Sequence, residues 1–210
     1  MMDSSAQSPT TPSSGAKQRT VRSSSRKGLA DSALGTRNLM ILAALAVVSQ
    51  IVLLPLNYLA PTAGAAPGAV YVACSILFLW VIPFLLPATV VRRPGAVLVA
   101  SFIMGVIGVF TTPVGPAALP GNLLGGAFIE VPLALMLYRK WTWWAYLVAA
   151  AVFGLFNSAM YVGLLKTAVG LPASSAMIVI GVASAVVGGG VAILLTRLLN
   201  RAGVGIDHRG

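Results

Sequence analysis

Apolar residues run along this chain in long blocks, separated by short stretches of Pro, Gly, Arg and Lys. A helix that crosses a bilayer needs roughly 20 apolar residues, with a range of about 17–25. Six stretches meet that requirement: Asn38–Leu59, Ala69–Val91, Ala96–Thr112, Ala117–Tyr138, Trp143–Leu165 and Ser174–Leu199. The third is the shortest. Between them lie Pro61 to Gly68, Arg92-Arg93-Pro94-Gly95, the turn Thr112-Pro113-Val114-Gly115-Pro116, the pair Arg139-Lys140, and Lys166 to Ala173. The pattern predicts an all-α integral membrane protein, a bundle of six transmembrane helices over 37–201.

The loops set the orientation. Arg37 precedes the first run, Arg92 and Arg93 follow the second, Arg139 and Lys140 follow the fourth, and Arg197 and Arg201 end the sixth. The three intervening loops hold one basic residue, Lys166. Cytoplasmic loops carry the excess of Lys and Arg, so both termini are expected inside the cell membrane. Trp141, Trp143 and Trp144 beside Arg139 read as an interfacial belt on the same side.

Composition supports that class: 58% of the residues are hydrophobic and only 9% charged. A water-soluble domain needs more charge to cover its surface. Net charge +10 would raise nucleic acid as a partner, but the basic residues sit at the ends of apolar runs instead of on one face. Residues 1–36 are rich in Ser, Thr, Gly and Pro with scattered Lys and Arg, and are expected to form a disordered cytoplasmic tail. A second short tail spans 202–210. One cysteine, Cys74, excludes an internal disulfide, and the single histidine, His208, lies near the C-terminus. No metal site or cofactor is expected.

Chemistry inside the membrane narrows to one acid. Asp3, Asp31 and Asp207 lie in the tails, which leaves Glu130. At about 1.5 Å per residue, Glu130 lies roughly 13–15 Å from Arg139 along the fourth helix, near the middle of the bilayer. A charge there is costly and points to a bundle interior or a cavity. Gln50, Trp80, Asn122, Asn157 and Tyr161 are further candidates for lining one outward-facing pocket with Glu130 at its floor. Asn157 and Tyr161 are four apart and share a helical face. Small residues mark close packing: Gly121 with Gly125, and Gly181, Ala185 and Gly189 at four-residue spacing. There is no G-x-x-x-x-G-K-[ST] loop to hydrolyse ATP, and no histidine in the runs for Ser-His or metal chemistry, so an enzyme is disfavoured.

Arg92-Arg93-Pro94-Gly95-Ala96, then Gly125-Gly126-Ala127-Phe128-Ile129-Glu130, Ala134-Leu135 and Tyr138-Arg139-Lys140, resemble the YkoE-type substrate-binding (S) components of energy-coupling-factor (ECF) transporters. Leu199-Asn200-Arg201-Ala202-Gly203-Val204 is similar to that family's C-terminus, and the likeness covers about residues 38–205. It implies a six-helix subunit that captures a vitamin or precursor, thiamine or hydroxymethylpyrimidine. Such a subunit works with a transmembrane coupling protein and two ATPase subunits. The resemblance gives Glu130 the role of ligand carboxylate and Trp80 that of a stacking surface. Ser101 stands where the family pattern has a further acid. The Ala-x-x-x-Ala motif by which many S components meet the coupling protein is not present in the first run, where Ala43, Ala44 and Ala46 supply small residues for docking at other spacing. Two other readings of the residues stay open: a stand-alone proton-coupled carrier with Glu130 as relay, and a structural membrane protein in which Glu130 is merely hydrogen-bonded.

Overall fold

A computed structural model describes residues 34–63, 69–139, 141–169 and 175–202. The proposed tails at 1–33 and 203–210, with Asp3, Asp31, Asp207 and His208, lie outside the described residues, as does Lys140. Each apolar run forms helix: α1 (Gly35–Ala63), α2 (Ala69–Ser75), α3 (Leu77–Val91), α4 (Ala96–Thr111), α5 (Ala118–Leu135), α6 (Trp143–Val169) and α7 (Ser175–Arg201). One 3-10 turn, Gly115–Ala117, leads into α5. Helical stretches in α1, α2–α3, α5, α6 and α7 are long and apolar enough to cross a membrane. The remaining one, α4, has only 16 residues, about 24 Å of helix against a hydrocarbon core of about 30 Å. Five full-length spans and one short apolar helix therefore stand where six spans were expected.

The helices alternate in direction, which collects the arginine-bearing loops at one end of the bundle. Thr89 and Thr196 share a hydroxyl hydrogen bond of 2.6 Å that ties the ends of α3 and α7 together there. At the opposite end the Tyr58 hydroxyl donates to the Thr111 carbonyl and links α1 to α4. The main core lies from the middle toward the basic end, around Leu42, Ala46, Val81, Phe84, Leu85, Val97, Met104, Ile129 and Phe153. A small separate cluster, Cys74, Val162 and Met177, holds the other end. Phe84 packs against Phe153, with ring centroids 5.6 Å apart. Its ring edge also lies where a Cβ on Gly125 would sit.

Small residues decide how α6 and α7 meet. Ala150, Gly154 and Ser158 on α6 oppose Gly189, Ala185 and Gly181 on α7, two four-residue ladders interlocked in antiparallel order. Lipid offers no hydrophobic drive between helices, so close backbone approach must supply the attraction by dispersion. The α7 spacing thus serves packing within the chain. The Gly121–Gly125 pair does not act as a unit: Gly125 meets Phe84, while Gly121 has nothing within 4 Å.

The second run is interrupted at Ile76. Ser75 bonds back to the Tyr71 carbonyl, a habit that bends helices. Ser184 of α7 closes the break: its hydroxyl donates to the Ser75 carbonyl at 2.6 Å and accepts from the Phe78 amide at 3.0 Å. One turn along, Gly188 lies against the Phe78 backbone so closely that any Cβ would collide with it.

Gly154→Ala would place a Cβ 2.6 Å from that of Ala185 and 2.9 Å from the Gly181 carbonyl oxygen. It should destabilise the bundle by about 1–3 kcal/mol. Gly190 is exposed with nothing within 4 Å, so Gly190→Ala should leave the melting temperature in detergent unchanged or higher. Equal effects of the two changes would contradict the interlocked ladders.

Candidate functional site

The start of α4 explains where Glu130 goes. Its N-cap is Gly95, at φ +79°, and no side chain from its own segment caps it. The first N–H groups of a helix have no partner within it, and in lipid they cannot turn to water. Glu130 of α5 supplies the acceptors. One carboxylate oxygen accepts from the Gly95 N–H at 2.7 Å and the other from the Val97 N–H at 3.1 Å. The Tyr138 hydroxyl also donates to Glu130, at 2.7 Å. Three donors, two of them from the positive end of the helix, thus converge on the buried carboxyl group.

This placement corrects the expected one. Helix α5 ends at Leu135, not at Tyr138, and the backbone then turns through Leu137 and Tyr138 at φ +53° and +52°. Glu130 is therefore only about 7 Å of helix from the basic end of its span. It is 4% exposed and belongs to that end of the bundle, not to mid-bilayer. Left-handed conformations cost non-glycine residues about 1–2 kcal/mol each. The Tyr138–Glu130 bond helps to hold the turn. Burial chiefly, and then the bond to the carboxylate and its charge, raise the Tyr138 phenol above its ordinary range. Its stabilisation is fully present below about pH 10 and is lost only as pH rises through that raised value.

The other candidates separate into groups. Gln50 and Asn122 come together at Gly108, in the half of the bundle away from Glu130. A Cβ built on Gly108 would lie 3.4 Å from the Gln50 Nε2 and 3.6 Å from the Asn122 Nδ2. Asn122 is half-buried and spends one N–H on the Ala118 carbonyl, 2.8 Å away. Gln50 is 2% exposed, and among the described residues neither polar atom of its amide has a hydrogen-bond partner. Asn122 lies about 12 Å of helix from Glu130, so the carboxylate is not the floor of the Gln50–Asn122 site.

Asn157 donates to the Phe153 carbonyl of its own helix at 3.0 Å. Tyr161, one turn on, is half-buried on the same face of α6. Trp80 is half-buried against the main core. Of the three alanines expected to face a partner, Ala44 is exposed and Ala43 half-buried, but Ala46 is fully buried in the core and unavailable for docking. Ser101, at the position of the family's further acid, packs against Gly126 with its Oγ where a Cβ on that glycine would be. A carboxylate there would force α4 and α5 apart.

Gly108, Gly95 and the structural role of Tyr138 were missed from sequence. One signal for the cap was legible: α4 begins after Pro94-Gly95 with no Ser, Thr, Asp or Asn to cap it, and Glu130 is the one carboxylate in the apolar runs.

A family model described as "ABC-type cobalt transport system, permease component" matches residues 37–156. No curated protein matches the chain. Among solved structures, the chain is similar to the crystal structure of an S-component of an ECF transporter, with a TM-score of 0.68 at 19% identity. The alignment covers 80% of this chain and 87% of that one. At that identity the likeness is one of fold.

Glu130→Gln would put an NH2 group against backbone donors and should lower stability by about 1–3 kcal/mol. Tyr138→Phe should cost about 1 kcal/mol, and the double variant less than the sum, because the two share a bond. Thermal unfolding in detergent checks this, and an unchanged Glu130→Gln melting temperature would refute the capping role.

Proposed function

Because the chain belongs to the family described as ABC-type cobalt transport system, permease component, we propose that it is the membrane-embedded substrate-binding subunit of an ECF-type ABC importer. The single observation that carries the reading is the fold, which aligns with 87% of an ECF transporter S-component. Such a subunit binds its cargo and leaves ATP hydrolysis to partners, in keeping with a sequence that has no phosphate-binding loop. Its partners are then a transmembrane coupling protein and two ATPase subunits. The subunit itself is not an enzyme. It sits in the cell membrane with its basic end and both termini in the cytoplasm. The coupling protein docks on the exposed face of α1, where Met40, Ala44, Val47, Val48 and Ile51 project.

The cargo is a vitamin or precursor, thiamine or hydroxymethylpyrimidine, as the resemblance between Arg92 and Lys140 implies. Gln50 and Asn122 contact it, with Trp80, Asn157 and Tyr161 as further candidates for the lining. Glu130 holds the inner ends of α4 and α5 and acts on the ligand only through that support. A carrier that used Glu130 as a proton relay would have to break three hydrogen bonds in each cycle, which argues against that alternative.

Purified protein in detergent should bind radiolabelled hydroxymethylpyrimidine or thiamine saturably. In membrane vesicles, uptake should require the ATPase partners and survive collapse of the proton gradient. If neither compound nor a related vitamin binds, the vitamin assignment is wrong; if uptake proceeds without an ATPase, the importer reading is wrong.

A further inference from the structure

An amide buried without hydrogen bonds is costly, at about 1–3 kcal/mol for each group left unmade. Buried polar side chains are nearly always paired, so an orphan asks what pairs with it. Among the described residues, both polar atoms of Gln50 are orphaned, at 2% exposure. The side chain packs on Gly108 of α4, where a Cβ would sit 3.4 Å from the Gln50 Nε2 and 3.0 Å from the Cβ of Ala118. Asn122 brings a second amide to the same point, and its oxygen is not used by the bond to Ala118. Three helices thus converge on one spot, α1 with Gln50, α4 with Gly108 and α5 with Asn122.

The charge at that spot is as informative as its polarity. No Asp, Glu, Lys, Arg or His lies in α1 between Asn38 and Ala63, in α4, or in α5 apart from Glu130. Glu130 lies at the other end of α4, where it accepts from Gly95, Val97 and Tyr138. Among the described residues, no three His, Cys, Asp or Glu side chains gather in a way that could hold a metal ion. An ion moved from water to this spot would lose hydration and gain only amide dipoles.

We propose that the Gln50–Asn122 amide pair over Gly108 is the point of ligand recognition, and that it selects an uncharged molecule by an edge bearing a donor beside an acceptor. This rests on the reading of the chain as a substrate-binding subunit. A carboxamide presents one N–H2 donor and one carbonyl acceptor in either of its two orientations. It pairs by two hydrogen bonds with a ring nitrogen next to an exocyclic amine, as Gln and Asn do with the edge of adenine. An aminopyrimidine in its neutral form carries that edge. A free divalent cation does not, and a fixed cationic ring attached to the pyrimidine adds a charge that nothing at this spot offsets.

Gln50→Leu tests the assignment, since leucine removes both polar atoms at similar size. The melting temperature of ligand-free protein is measured together with its affinity for hydroxymethylpyrimidine, thiamine and Co2+. The expected result is a melting temperature equal to or above wild type, because the orphan is gone. Affinity for hydroxymethylpyrimidine should fall about 10- to 100-fold, the loss of one bidentate pair. Wild-type protein should prefer hydroxymethylpyrimidine to thiamine, and Co2+ should not compete. A Gln50→Leu protein that melts lower or fails to fold, or that binds as tightly as wild type, overturns the site while leaving the subunit reading intact. Tighter binding of thiamine or Co2+ than of the neutral pyrimidine overturns the charge selection. Wild-type protein that binds no probe overturns both this site and the vitamin-binding reading on which it rests.

Discussion

Inside a bilayer every backbone amide and carbonyl must find its partner in the protein, because no water is there to supply one. This bundle breaks its helices where that rule bites, and side chains from other helices close the gaps. Glu130 reaches from α5 to cap α4, and Ser184 reaches from α7 to splice α2 to α3. Each closure also fixes a helix pair. The Glu130 bonds hold α4 against α5, and the Ser184 bonds set the height at which α7 crosses the break at Ile76. The one carboxylate in the apolar runs is therefore part of the frame.

The two ends of the bundle are built differently. Toward the basic end the core is continuous, Thr89 bonds Thr196, and Glu130 accepts from three donors. Toward the other end, among the described residues, the packed cluster is small, Asn122 and Asn157 bond within their own helices, and the Gln50 amide has no hydrogen-bond partner. The half toward the basic end is tightly packed, and the other half keeps unmet hydrogen-bonding capacity. Under the proposed function that capacity is what a ligand would use, since a polar group already satisfied gains little from binding. The interlocked ladders bring α6 and α7 together between Ala150–Ser158 and Gly181–Gly189.

Much of this was legible in the sequence. Hydropathy runs located the helices to within a few residues, because a spanning helix must hide its backbone and show lipid only apolar side chains. Basic loops identified one end, and the four-residue spacing of Gly181, Ala185 and Gly189 foretold a close helix contact. The membership of Gln50 and Asn122 in a buried polar set was also visible, as was the solitary standing of Glu130. The expected reach of α5 to Tyr138 was not met. Leu135, Met136 and Leu137 are as apolar as the helix before them, and nothing in their hydropathy marks the left-handed turn.

What the sequence by itself determined was class, span positions and the short list of polar residues. These depend on each residue's own transfer energy and on spacing along one helix. Only the tertiary structure decided who meets whom. Glu130 and Gly95 are 35 residues apart, and their contact depends on the offset at which α4 and α5 pack. The meeting of Gln50 with Asn122 over Gly108 depends on three helices at once. Offsets of that kind arise from the sum of many small packing contacts, and no local pattern carries them. Glu130 stands out in the sequence as an isolated acid, but its three donors on α4 and in the turn after α5 come from offsets that only the packed bundle sets.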